Sequence, residues 1–313
     1  MNQVAFIFPG QGSQSRGMGK DLHDSFPEAR GVFQEADQVL GFSLSQLCFD
    51  GPEDQLRLTE NTQPAILAVS VAAYRVLSAR VPAPHYVAGH SLGEYSALVA
   101  AKSLSAADAM KTVRNRGRYM QEAVPLGQGA MAAILGLSET QVVDLCQEAS
   151  QGEILSTANL NSPAQIVIAG TSAAVQRVLE LAKIRGARRA VPLPVSAPFH
   201  CALMRPAQDR LSKDLAQLHF SDLQFPLVNN VDVTDLRRGH AIADSLSRQV
   251  CSPVRWTESI QKLIGLGVGL FVEVGPGKVL SGLVRQIDKG VKTANVEDSK
   301  SLNETIEIFN QCN

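Results

Sequence analysis

The segment Gly89-His90-Ser91-Leu92-Gly93 places a hydroxyl between two glycines, each two residues away. The short apolar run Tyr86-Val87-Ala88 precedes it and helix-compatible sequence from Glu94 to Ala101 follows, so the predicted setting is strand, sharp corner, helix. Such a corner strains the serine and leaves it exposed. The glycines let the backbone turn, and the amides beyond the serine face the place where negative charge develops in acyl transfer. A neutral serine also needs a base. His23, His85, His90, His200, His219 and His240 are the candidates, and spacing alone does not choose among them. His90 adjoins Ser91, but its side chain should diverge at the turn; His200, in the loop Ser196-Ala197-Pro198-Phe199-His200, is the better placed. Cys201 beside it reads as a small buried apolar group rather than a second nucleophile.

The elements that must hold these residues follow from hydrophobic runs and turn signals. Val4 to Phe8 reads as a buried strand that ends at Pro9-Gly10-Gln11-Gly12-Ser13, with a helix from about Asp21. Pro64 is expected in the first turn of a largely buried helix, Ala65 to Leu77. From Gly129 the pattern becomes Ala130–Leu137 strand, a helix to Ala149 opened by a Ser138/Gln141 capping box, and strands Ile154–Leu160 and Gln165–Ala169 around Asn161-Ser162-Pro163. A Thr171–Arg185 helix and an Ala190–Val195 strand complete the order βαββαβ, the split-βαβ arrangement of a ferredoxin-like unit. Strands at Leu227–Val231 and Leu270–Val274 then resume the first pattern. The expected fold is α/β: a large α/β-hydrolase-like domain with a parallel sheet core, residues 1–127 and 198–313, interrupted by a ferredoxin-like subdomain over 128–197.

Composition narrows the function classes. The chain has 313 residues, 45% hydrophobic and 19% charged, enough for a self-supporting core and unlike a disordered chain. Lys and Arg number 29 against 30 Asp and Glu, so no overall charge draws it to nucleic acid or to an anionic membrane. Five dispersed cysteines without a CxxC pair predict neither a zinc ribbon nor a disulfide framework. The N-terminus, Met1-Asn2-Gln3-Val4-Ala5-Phe6-Ile7-Phe8, lacks a signal peptide's basic flank and cleavage site, and no apolar run reaches membrane-spanning length; a cytoplasmic protein is expected. Gly10-Gln11-Gly12 lacks the spacing of phosphate-binding loops, so no nucleotide cofactor and no metal are expected.

Six short motifs in order carry a resemblance: Phe8-Pro9-Gly10-Gln11-Gly12-Ser13-Gln14, Gly89-His90-Ser91-Leu92-Gly93-Glu94, Arg116-Gly117-Arg118-Tyr119-Met120-Gln121, Asn161-Ser162-Pro163, Pro198-Phe199-His200 and Gly275-Pro276-Gly277. Together, across nearly the whole chain, they resemble the malonyl-CoA:acyl carrier protein transacylases, a family shared with the acyltransferase domains of polyketide synthases. The resemblance implies Ser91 as nucleophile, His200 as base, and the amides of Gln11 and Leu92 as oxyanion hole. It makes Arg116 the partner of the malonyl carboxylate, which a guanidinium can grip with two parallel hydrogen bonds. Gln249 resembles a glutamine whose surroundings orient the histidine through backbone carbonyls, so no acidic triad member is required. Phe199 resembles the bulky residue that limits space beside the acyl α-carbon. Asn161 and His90 complete the implied substrate site.

The implied partners are malonyl-CoA and the phosphopantetheine thiol of acyl carrier protein, with ping-pong transfer in fatty-acid or polyketide synthesis and no cofactor beyond those thioesters. Arg185, Arg188 and Arg189 are candidates for carrier docking by charge alone. Two rivals use the same residues differently: a serine esterase or thioesterase of the α/β-hydrolase type, whose HGGG-type oxyanion motif is missing, and a catalytically silent carrier-docking module.

Overall fold

The computed structural model describes residues 3–195 and 197–312. Met1, Asn2 and Ser196 of the runs discussed above lie outside the described residues. Ten strands form two sheets: β1 Gln3–Phe8, β2 Tyr86–Gly89, β3 Gly129–Leu135, β4 Leu155–Ser162, β5 Gln165–Thr171, β6 Arg189–Pro192, β7 Leu227–Val228, β8 Asp235–Leu236, β9 Val268–Val274 and β10 Lys292–Val296. The first sheet has the order β10-β9-β1-β2-β7-β8, parallel throughout except for the edge pair β7–β8. The molecule is mixed α/β around this largely parallel sheet. Its central strand is buried on both faces, which explains the unbroken apolar run: Phe6 and Phe8 enter one core cluster, Ala5 and Ile7 another.

The second sheet, β4-β5-β3-β6, is antiparallel throughout. Ile134, Ile166 and Ile168 pack on the Glu139–Ser150 and Ser172–Ile184 helices, and the alternating residues Met131, Ala133 and Val167 join the core of the first sheet. The Ser138/Gln141 capping box opens the first of those helices. Main-chain bonds tie β4 of this sheet to the segment before the Trp256–Gly265 helix, where Val254 N–H donates to Ala158 O (2.9 Å) and Leu160 N–H to Val254 O (2.9 Å). The side chains of β3 therefore reach the ends of β1 and β2, where Ser91 stands.

Three expected elements differ. The buried helix runs Thr59–Ser78, so Pro64 sits in its interior rather than its first turn. Proline cannot donate to the preceding turn, and that turn is held instead by Thr62 Oγ1, which donates to Leu56 O (2.6 Å) and Leu58 O (3.1 Å). The strand expected over Ala190–Val195 stops at Pro192; Leu193 N–H still donates to Met131 O (2.9 Å), but Pro194 has no N–H with which to continue the ladder. The strand expected over Leu227–Val231 stops at Val228 because Asn229 Oδ1 takes the Thr234 N–H (2.9 Å) and closes a turn.

Candidate active site

Ser91 lies between β2 and the Gly93–Ala100 helix with φ 53°, the left-handed region that costs a non-glycine residue about 1–3 kcal/mol. The corner is tight enough to demand glycine on both sides. A Cβ on Gly89 would lie 1.9 Å from the Gly93 carbonyl carbon, and one on Gly93 would lie 2.1 Å from Phe8 O. Asn230, fully buried just beyond β7, clamps the corner: its Oδ1 accepts the Ser91 N–H (2.8 Å) and its Nδ2 donates to Gly89 O (2.7 Å). The amides of Gln11 and Leu92 donate to no group among the described residues. Both residues line the same cavity as Ser91, and Gln11 Nε2 donates to Thr59 Oγ1 (3.3 Å).

His200 is buried, also at positive φ (61°), and its Nε2 stands 2.7 Å from Ser91 Oγ. On the opposite side Nδ1 faces the main-chain carbonyl of Gln249 at 2.9 Å. A carbonyl can only accept, so Nδ1 carries the proton and Nε2 presents its lone pair to the serine. Gln249 ends the Ile242–Gln249 helix, where carbonyls lack intrahelical partners; its carbonyl takes only a long bond from Ser252 N–H (3.4 Å) besides the imidazole. Burial, with the charge of Arg116 second, pushes His200 down to about 3; the Gln249 carbonyl opposes the shift. The base is neutral and ready at neutral pH.

Arg116, in the third turn of the Ala106–Glu122 helix, is 1% exposed. Its Nη1 donates to Gln63 Oε1 (2.8 Å), and its Nη2 to Gln249 Oε1 (2.9 Å) and Ser91 Oγ (3.0 Å). Nε has no partner, and no carboxylate lies within ion-pair distance of the guanidinium among the described residues. Glu94 is equally buried but meets Arg116 only through Gln249, whose Nε2 donates to Glu94 Oε2 and to Ser91 O (3.0 Å). Burial raises the Glu94 carboxyl, against the pull of the Asn230 and Gln249 donors and of Arg116.

A cavity of about 100 Å³ joins these groups, lined among others by Ser91, His200, Arg116, Gln11, Phe199 and Met131. A larger groove of about 800 Å³, beside Tyr74 and Lys102, holds His219 of the six histidines but neither Ser91 nor any other group of the site. His90 lines the site cavity, but its Nε2 bonds Asn161 Oδ1 (2.8 Å) and its ring meets Trp256 edge-on, so it ties the corner to the β4–β5 hairpin. Asn161 is thus turned to His90 and to Gln165 (3.1 Å), and the cavity wall on β4 is Asn159 instead. Cys201 is buried, its thiol donates to Pro198 O (3.1 Å), and burial pushes it up to about 11. Sequence reasoning missed Asn230, Gln63 and Asn159; the polar pair Asn229-Asn230 directly after an apolar strand was the one available signal. No group of three or more His, Cys, Asp or Glu that could hold a metal occurs among the described residues.

The profile of the acyl transferase domain matches residues 5–306. The chain belongs to the acyl transferase family. It is 48% identical over 309 residues to the malonyl CoA-acyl carrier protein transacylase of Escherichia coli (strain K12), covering 98% of this chain and 100% of that one. Identity to the protein of the same description from Bacillus subtilis (strain 168) is also 48%, over 316 residues, with 100% and 99% of the two chains covered. Among solved structures, the transacylase of Coxiella burnetii superposes with TM-score 0.96 at 43% identity, over 98% of this chain and 97% of that one. A malonyl-transacylase solved in complex with a holo type II PKS acyl-carrier protein gives TM-score 0.96 at 48% identity, over 98% and 99%. In acyl transferase terms, the cleft between the two sheets holds a serine, a neutral imidazole, two unengaged amides and an uncompensated buried cation.

Proposed function

We propose that the chain transfers a malonyl group from malonyl-CoA to the phosphopantetheine thiol of acyl carrier protein through a malonyl ester on Ser91. The names of its near-full-length relatives, and the carrier-bound neighbour among solved structures, support substrate and acceptor. One observation carries the choice of acyl group: a buried guanidinium with no carboxylate partner bonds the nucleophile's own oxygen. An unpaired buried charge is costly, and a substrate carboxylate supplies the missing partner.

In the first half-reaction Ser91 Oγ attacks the thioester carbonyl and gives its proton to His200 Nε2. The amides of Gln11 and Leu92 hold the oxyanion. The C–S bond breaks and the leaving sulfur takes the proton from His200. In the second, the carrier thiol gives its proton to His200 and attacks the ester; the C–O bond breaks and Ser91 recovers the proton. A malonyl carboxylate on Arg116 also cancels part of the charge that holds His200 down, so base strength rises when the right substrate is bound.

The strand order β4-β5-β3-β6 with two helices on one face supports reading residues 128–197 as a ferredoxin-like insert. Residues 1–127 and 198–313 form the hydrolase-like body. Met131 on β3, with Leu193 and Val195 beyond β6, makes the insert one wall of the cavity. No helix among the described residues is long and apolar enough to cross a membrane, which is compatible with work on soluble carriers in the cytoplasm. No cofactor enters the scheme; coenzyme A and phosphopantetheine arrive with the substrates. Arg189 at the start of β6 and Arg188 just before it stay exposed, while Arg185 pairs with Glu148 (2.7 Å).

The test is intact-mass spectrometry after mixing with malonyl-CoA. A covalent adduct is expected on the parent and absent from Ser91→Ala, and a holo carrier protein should discharge it. Rapid release of free malonate without transfer indicates a thioesterase, and parent-like turnover by Ser91→Ala indicates a docking module.

A further inference from the structure

Glu94 is 1% exposed, three residues past the nucleophile, and the two half-reactions make no use of it. Both carboxyl oxygens face N–H donors: Oε1 accepts from the main chain of Asn230, and Oε2 from Gln249 Nε2. A carboxyl proton would find no acceptor there, so the hydrogen-bond pattern is that of the ionised group, set against the burial that pushes this carboxyl up to about 8.

We propose that Glu94 is a positioning residue for diacid selection: its carboxylate fixes which end of the Gln249 amide faces Arg116, and so keeps the guanidinium aimed at the acyl site. The proposal rests on reading Arg116 as the clamp for the malonyl carboxylate. A carboxylate only accepts, so Gln249 must turn its NH2 toward Glu94. Its oxygen is then left for Arg116 Nη2 at 2.9 Å, and its second N–H for Ser91 O at 3.0 Å. Arg116 has only two side-chain amide acceptors, Gln63 and Gln249. If the Gln249 amide turned over, its NH2 would face a group that has donors alone. The negative charge one amide away also offsets part of the cost of burying Arg116 without a contacting carboxylate.

Glu94→Gln changes one oxygen to NH2 and nothing in shape. The backbone N–H of Asn230 cannot rotate away, so the remaining oxygen of the new amide stays on it and the Asn230 clamp on Ser91 is kept. The new NH2 then meets the NH2 of Gln249, which must turn over and present a donor to Arg116. Damage passes to the guanidinium; Ser91 loses the Gln249 N–H on its carbonyl but keeps the Asn230 clamp on its own N–H and its contact with His200.

Single-turnover loading of Ser91 from malonyl-CoA and from acetyl-CoA, followed by mass spectrometry, tests this in the parent, Glu94→Gln, Arg116→Ala and the double variant. Glu94→Gln should slow malonyl loading at least about tenfold, the loss expected for one charge-assisted hydrogen bond. Acetyl loading, which needs the dyad but not the clamp, should change by less than about threefold. In the Arg116→Ala background Glu94→Gln should cost malonyl loading nothing more. Equal losses for both acyl groups, no loss for either, or an undiminished effect in the double variant would overturn the proposal. Parent-like malonyl preference in Arg116→Ala instead defeats the clamp reading itself. If Glu94→Gln does not fold, Glu94→Asp takes its place: it keeps the charge but withdraws it by one methylene from the Gln249 amide, and a smaller malonyl-selective loss is expected.

Discussion

At the scale of single residues, the site balances one cation against one imidazole across a shared hydroxyl. Ser91 Oγ stands 2.7 Å from His200 Nε2 and 3.0 Å from Arg116 Nη2, so the proposed proton acceptor and the proposed clamp for the acyl group's far end meet at a single atom. Phe199, largely buried, lines the same cavity next to His200, and the role proposed for it is to limit the bulk at the acyl α-carbon. Phe199→Ala should therefore admit a methyl-branched malonyl thioester. Discrimination between the linear and branched substrates, taken as a ratio of kcat/KM, is expected to fall by about tenfold, the low end of what one methyl is worth in an apolar pocket. An unchanged ratio would place the selective wall elsewhere.

At the scale of elements, the strand–corner–helix unit around Ser91 is built from close approach. Gly89→Ala should cost about 3 kcal/mol or more, because the new methyl would sit inside the first turn of the following helix, with no flexible side chain to give way. Urea unfolding reads this directly, and a parent-like midpoint would contradict it. This unit was legible in the sequence because its signals are local: glycine spacing, a short apolar run, a helix start. What stayed hidden is long-range. Asn230 reaches Ser91 across 139 positions and Gln249 reaches Arg116 across 133, and no periodicity in either segment announces such a meeting. Pro64 misled for a related reason. A proline is ordinarily a first-turn residue, but here Thr62 grips Leu58 O with both its main-chain N–H (2.8 Å) and its hydroxyl (3.1 Å), and the helix begins earlier. Asn161 was placed at the acyl pocket by resemblance, whereas its bond to His90 turns it away and leaves the wall to Asn159, two positions earlier on β4.

At the scale of the whole molecule, the buried base couples chemistry to stability. His200 is held far below the ordinary imidazole value of 6.5, so the unfolded chain binds a proton there that the folded chain refuses. Its neutral form contributes stability that is fully present above about 6.5 and is lost as pH falls toward the folded value, at up to about 1.4 kcal/mol per pH unit. In His200→Asn, which keeps a residue tolerant of positive φ, that loss should disappear. The parent's stability relative to the variant is thus expected to be greatest near pH 7 and to shrink steadily by pH 5, as read from urea midpoints. A gap constant across that range would mean that His200 titrates like an exposed imidazole.

The route of the main chain between the two sheets has one more consequence. A Cβ on Gly129, at the start of β3, would lie 2.4 Å from the Pro198 ring, on the returning chain two positions before His200. The outgoing and incoming threads therefore touch where they cross. A stretch whose two ends coincide can be cut out at that knot and exchanged for a relative's in one graft. If residues 128–197 are the insert proposed above, evolution has in them a cassette with which to change one wall of the cleft while the serine and its imidazole stay where they are.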